Sequence, residues 1–168
     1  KGHRVRVYEQ AAQVGEVDAA MQMSANAVKV LDELGLRAHL EAVSVKPKAF
    51  EFRRFDTGEL LHEIKLGAIH EQTHGAPYYQ IHRVDLHAGL MDVVNRLDPA
   101  AVQLGVRAVG VDEAESHVAL VCGDGQKIQA DLIVGADGIK SVIRQHVVNA
   151  DPPVFTGQVA WRLCIPTQ

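Results

Sequence analysis

"DLIVGADGIKSVIR", residues 131–144, is the stretch on which the reading of the fold turns. After the opening Asp131 it runs apolar without alternation, as a strand covered on both faces does. It stops at Gly-Ala-Asp-Gly, and "IKSVIRQHV" then reads as a helix. A strand that turns into a helix within a few residues puts Asp137 at the carboxyl edge of a parallel sheet, where open α/β sheets bind their ligands. Gly138 would let the backbone take a positive φ or come close to a ligand. A plainer reading stands beside this one. Asp137 would be an Asx-turn or helix cap, satisfying the first amides of the helix. Taken alone, these residues leave both readings open.

Working outward, "VRVYEQ" at residues 5–10 reads as another buried strand, ending on Glu9. Residues 11–23 read as a Gly/Ala-rich loop. A helix is expected after it, with Ser24 as N-cap, Gly35 just past the end, and Ala27, Leu31 and Leu34 on the apolar face. Pro47 breaks the chain. "AFEFRRF" and "ELLHEIKL" flank the turn "DTG", a hairpin over residues 49–66. A loop rich in Gly and His runs to Pro77, followed by the short strand "YYQIH". "RVDLHAGLMDVVNRL" is helical, with Leu86, Leu90, Val93 and Leu97 on one stripe. The pattern then shifts to short strands, "AVQLG", "VRAVGVD" and "HVALVCG", and "GDG" turns the last of them into "QKIQA". Pro152 and Pro153 mark a boundary before a final strand, "TGQVAWRLCIP". The pattern predicts an α/β fold, with a parallel sheet, helices against it, and antiparallel pieces in a second layer.

Composition narrows the function. The chain has 168 residues, 47% of them hydrophobic, with a net charge of −4. That suits a globular domain and offers no broad basic surface for nucleic acid or an anionic membrane. No apolar run reaches the roughly 18 residues of a membrane span, and no signal peptide is visible. Cys122 and Cys164 lie far apart, and two reduced thiols in a cytoplasmic protein are the expectation.

With the motifs in place, the chain resembles a known family. "DLIVGADGIKSVIR" looks like the Asp-Gly motif of the FAD-dependent aromatic hydroxylases, the group that contains p-hydroxybenzoate and salicylate hydroxylases. "VYEQ" (7–10), "AAMQMSANAVKVLDELGL" (19–36) and "IHRVDLHAGL" (81–90) agree with it in order and spacing. The resemblance runs from about residue 5 to the end and is strongest to the salicylate and 3-hydroxybenzoate hydroxylase branch.

This likeness implies an incomplete Rossmann-like FAD-binding fold of the p-hydroxybenzoate hydroxylase kind. Residues 1–47 and 83–150 would form part of the FAD-binding domain, including a β-meander. Residues 48–82 and 154–168 would belong to the antiparallel sheet of the substrate domain. In the family's sheet, the strand ending at Glu9 lies beside residues 102–104 and not beside residues 132–134. The chain would be an internal piece of a longer enzyme, without the glycine loop in front of it or the Gly-Asp motif behind it.

The implied activity is hydroxylation of a phenolic or aromatic acid, consuming O2 and NADH or NADPH, in a cytoplasmic protein that admits a homodimer when complete. An epoxidase or halogenase on the same scaffold, or a non-catalytic remnant, are the alternatives. Glu9, with Gln10, would bind the adenosine ribose, because a carboxylate offers two oxygens to neighbouring hydroxyls. Arg83 would meet FAD near its pyrophosphate, where a guanidinium fits phosphate oxygens. A surface ion pair with Asp85 is the competing reading. Asp137 and Gly138 would lie by the FAD ribose and pyrophosphate.

Two departures limit the likeness. "DAAM" (18–21) stands where the family usually has Gly-Ala-Gly-Ile, so Ala19 and Ala20 add bulk in a loop near the flavin. Gln22 stands where some relatives carry a catalytic His. An amide has no titrating proton near neutral pH, so Gln22 is a candidate for positioning substrate or flavin and not for general base. "HEQTH" at 70–74 matches the H-E-x-x-H zinc pattern letter for letter. That chemistry needs both His on a helix of several turns. With Gly67, Gly75 and Pro77 around it, the stretch reads as a polar loop, and no metal is expected.

Overall fold

The computed structural model of the chain describes residues 2–13, 20–148 and 151–161. In chain order its elements are β1 (Val7–Glu9), β2 (Ala20–Met23), α1 (Ala25–Glu33), α2 (Arg37–Val43), β3 (Ala49–Arg53), β4 (Leu60–Lys65) and α3 (Ala68–His74). They continue with β5 (Tyr79–His82), α4 (Arg83–Leu97), β6 (Val102–Leu104), β7 (Ala108–Ala114), β8 (His117–Cys122), β9 (Lys127–Ala130) and α5 (Val142–Val148). They fall into two compact units, residues 1–15 with 100–161 and residues 16–99 with 162–168.

In the first unit β1 and β6 run parallel, with Val7 opposite Val102, Tyr8 opposite Gln103 and Glu9 opposite Leu104. That is the pairing expected from the family's sheet, and residues 131–135 do not pair with β1. The meander β7-β8-β9 is antiparallel throughout. Its second turn is the expected "GDG", with Gly125 at φ 88° and the Asp124 carboxylate accepting the Gln126 amide at 3.0 Å. Helix α5 lays Ile143 against Leu120 and Cys122, and Tyr8 and Ile133 pack on the same cluster.

The second unit holds the larger core. Leu36, Leu40 and Val28 are its most deeply buried side chains, joined by Leu31, Ile81 and Leu86. These are the apolar faces of α1, α2 and α4 closing over the inner face of the antiparallel pair β2–β5. The stripe read from α4 is only partly inside, since Leu97 is 81% exposed. The hairpin β3–β4 forms over residues 49–66 as expected, with Phe50 edge-on to Tyr78 at 5.3 Å.

Five expectations need correction. Residues 131–135 are not a strand, and Leu132 and Val134 are 76% and 79% exposed. Their composition suits a ladder, but no neighbouring strand among the described residues supplies one. The first strand is not buried on both faces either, because its sheet is two strands wide. Residues 20–23 form β2, not the end of a loop. Ala and Met are weak strand formers, and pairing with β5 overrides that preference.

The His-rich stretch is helix α3. Gly67 and Gly75 bound it instead of breaking it, and Gly75, left-handed at φ 73°, returns its amide to the Glu71 carbonyl at 2.8 Å. Finally, no strand forms over residues 154–161, and the rest of that predicted strand, like Cys164 and Ala19, lies outside the described residues.

Leu40 is fully enclosed. Leu40→Ala is expected to lower unfolding stability by about 2–5 kcal/mol through lost burial and a residual cavity. Phe55→Ala, at a fully exposed position, should stay within about 0.5 kcal/mol. Denaturant midpoints of the two variants check the contrast.

Candidate functional site

The end of β1 is a turn organised by its own last residue. The Glu9 carboxylate accepts the Ala11 amide at 2.7 Å through Oε1. The Glu9 and Ala11 carbonyls accept the amides of Val106 and Gly105, at 2.9 Å each. This fixes the strand end while Glu9 remains exposed, and its Oε2 has no partner among the described residues. Gln10 sits in the bend beside it, also exposed.

Asp137 is the N-terminal anchor of α5. Its carboxylate accepts the Ser141 hydroxyl through one oxygen. Through the other it accepts the amides of Val142 at 2.7 Å and Ile143 at 3.3 Å. Ser141 in turn accepts the Arg144 amide at 2.9 Å. Partial burial pushes the Asp137 carboxyl up, but the bond from Ser141 and the nearby Ile143, Asp137 and Val142 amides outweigh that and hold it below its ordinary value. The helix-cap reading is therefore realised. Gly138 adopts φ 79°, the positive angle foreseen for it. Gly135 serves close packing, since a Cβ there would lie 2.6 Å from Ile143 Cβ.

In the second unit, Gln22 lies on β2 directly opposite Gln80 on β5, and Ala20 lies opposite His82. Gln80 spends its backbone amide and carbonyl on Val45, at 2.8 Å each. Gln22 and Gln80 thus form a non-hydrogen-bonded pair, the kind whose side chains stand closest. Met21 and Met23 point into the core, and Gln22 faces out. Gln80 was missed in the sequence because "YYQIH" shows no pattern that sets its middle residue apart. Arg83 is the first residue of α4 and is exposed. No ion pair joins it to Asp85 among the described residues.

The H-E-x-x-H match sits on a helix after all, but a short one. The His70 and His74 rings lie with centroids 4.5 Å apart at a mutual tilt of 50°, and His70 also meets Tyr78 edge-on at 5.5 Å. Desolvation, then the neighbouring His74 charge, lowers the His70 pKa. Among the described residues no group of three or more His, Cys, Asp or Glu side chains gathers to hold a metal. The two-turn helix reads as packing, with His70 against an aromatic wall.

An α/β chain with a carboxylate at the end of a parallel strand and a capped Asp-Gly corner has the features of a dinucleotide-binding fold. The chain belongs to the FAD binding domain family, which it matches over residues 1–162. It is 40% identical over 166 residues to 3-amino-4-hydroxybenzoate 2-monooxygenase from Streptomyces cremeus, covering 99% of this chain and 41% of that protein. It is 34% identical over 166 residues to 6-hydroxynicotinate 3-monooxygenase from Bordetella bronchiseptica, covering 99% of this chain and 43% of that one. The chain therefore spans about two-fifths of the length of these relatives.

Among solved structures, Klebsiella pneumoniae HpxO complexed with FAD and uric acid superposes with a TM-score of 0.72 at 25% identity, over 88% of this chain and 36% of that one. The 2,6-dihydroxypyridine-3-hydroxylase from Arthrobacter nicotinovorans, at 23% identity, shares the fold with a TM-score of 0.72, over 93% of this chain and 36% of that one.

Asp137→Ala is expected to cost about 1 kcal/mol, the worth of a helix cap. Because the folded-state pKa lies below the ordinary 3.8, this contribution is present above that value. It is lost as pH falls through the folded pKa. Denaturation at neutral pH and again in strong acid should show the gap between parent and variant closing in acid.

Proposed function

We propose that the protein carrying this chain is an FAD-dependent monooxygenase that hydroxylates a phenolic or aromatic acid. NADH or NADPH is the reductant. One oxygen atom of O2 enters the ring and the other leaves as water. The observation that carries this reading is the near-complete alignment of the chain with monooxygenases that act on hydroxylated aromatic and heteroaromatic acids by name. FAD, when bound, supplies the electron transfer and oxygen activation, and the protein orients and shields the reacting groups.

The residues suit that cofactor. Glu9 keeps a carboxylate oxygen free for a ribose hydroxyl, with Gln10 beside it. Arg83 offers an exposed guanidinium to a pyrophosphate. Asp137 has lone pairs beyond those spent on α5 and takes a ribose hydroxyl directly or through water, with Gly138 letting the backbone approach. Gln22 orients flavin or substrate by hydrogen bonding and carries no proton relay. We assign residues 1–47 and 83–150 to FAD binding and residues 48–82 and 154–168 to the substrate side. A cytoplasmic setting suits the nicotinamide reductant, and no helix among the described residues is long and apolar enough to cross a membrane.

The isolated 168-residue polypeptide is expected to bind FAD weakly. It contains no G-x-G-x-x-G stretch, the element whose backbone amides and helix N-terminus receive a pyrophosphate. Flavin titration of the purified polypeptide checks this, and retained yellow colour with a sub-micromolar dissociation constant would count against it.

In the full-length protein, Asp137→Ala should lower hydroxylation at least about tenfold, while costing only the roughly 1 kcal/mol of a cap in stability. Oxygen uptake and product analysis with hydroxylated benzoates and nicotinates test the activity itself. Normal FAD binding and turnover in the variant would remove Asp137 from the site.

A further inference from the structure

Helix α4 begins without a side-chain cap: His82 occupies the N-cap position and makes no capping bond. Arg83 is the first residue of that helix, so fraying of the first turn would move its backbone directly. A different residue holds the turn. His39, half-buried on α2 and 46 positions away in sequence, places its Nε2 2.7 Å from the Asp85 carbonyl. A carbonyl can only accept, so Nε2 carries the proton. The same carbonyl is the one that Gly89 would reach in a regular helix, and its second lone pair allows both bonds.

The helices are close enough for this bond because residue 89 has no side chain. A Cβ there would lie 2.5 Å from His39 Cδ2, 2.7 Å from His39 Nε2 and 2.9 Å from Leu36 Cδ2. Glycine inside a helix costs about 1 kcal/mol relative to alanine. The cost is offset here by letting α2 close on the first turns of α4. Leu36 and Leu40 lie on the same side of α2 as parts of the core that includes Leu86 of α4.

We propose that His39, seated against Gly89, is a positioning residue for Arg83. It fixes the first turn of α4 so that the guanidinium is held where it meets the cofactor. The inference rests on the reading of Arg83 as an FAD contact.

FAD titration of the full-length protein and its variants tests it. His39→Ala and His39→Leu, the second keeping bulk without a donor, should each weaken FAD binding about three- to tenfold, the reach of one hydrogen bond. His39→Gln, which restores a donor at similar reach, should recover most of the loss. Amide exchange at His87, Ala88 and Gly89, the first amides bonded within α4, should quicken in the two donor-less variants and not in His39→Gln. Adding His39→Ala to Arg83→Ala should cost no further affinity. Equal losses with and without Arg83, or unchanged exchange, would overturn the positioning role while leaving Arg83 a cofactor contact. FAD affinity unchanged by Arg83→Ala would overturn the Arg83 reading and this inference with it.

Discussion

The parallel pairing of Val7–Glu9 with Val102–Leu104 is the constraint around which the chain is arranged. Parallel neighbours cannot be joined by a tight turn, so the chain must travel away and return in the same direction. Residues 10–101 make that journey, and nearly all of the second compact unit is built within it. The pairing also leads into the turn at Glu9. It sets the end of β1 by turning the carbonyls of Glu9 and Ala11 onto Val106 and Gly105, and so gives the Glu9 carboxylate a fixed origin.

Stability is unevenly shared. In the second unit the helices close on the inner face of β2–β5, and Val28, Leu36 and Leu40 leave almost no surface to water. In the first, Val5, Val7, Leu132, Val134 and Ile139 are all substantially exposed. Each buried methylene is worth about 0.8 kcal/mol, so this apolar surface gives little to the fold as it stands. What these residues contribute instead is shape. Ile133 is the residue of its segment that packs inward, and it seats the run against the meander so that Gly-Ala-Asp-Gly emerges beside α5.

The sequence was most legible where a local pattern and a tertiary partner agreed. The meander, the hairpin and α4 were readable because alternation, turn residues and apolar stripes point the same way in each, whereas the β1–β6 pairing was implied by the family resemblance and not by any local pattern. It was least legible where one of the two was missing. Residues 20–23 have no strand-forming composition and owe β2 to β5. Residues 131–135 have that composition and no ladder. In α3 the glycines were visible, but whether a glycine ends a helix or prevents one depends on the backbone angle it adopts, which spacing does not reveal. Among the candidate residues, Glu9 and Asp137 stood out because their charges sit at expected strand ends, and Arg83 through the family resemblance. Gln80 and His39 did not, since one is defined by its cross-strand neighbour and the other by a bond to a distant carbonyl.

The two readings of Asp137 that the sequence left open turn out not to exclude each other. A carboxylate has about four lone-pair positions, and Ser141, Val142 and Ile143 occupy three of them. These bonds hold the group ionised and its oxygens fixed, which is what a contact to a ribose hydroxyl or an ordered water requires. A freely rotating carboxylate at the same corner would have to give up side-chain entropy on binding. The helix cap has already met that cost in folding. A residue that stabilises the fold modestly can therefore serve a ligand better for doing so, and a small effect on stability is no argument against a large effect on binding.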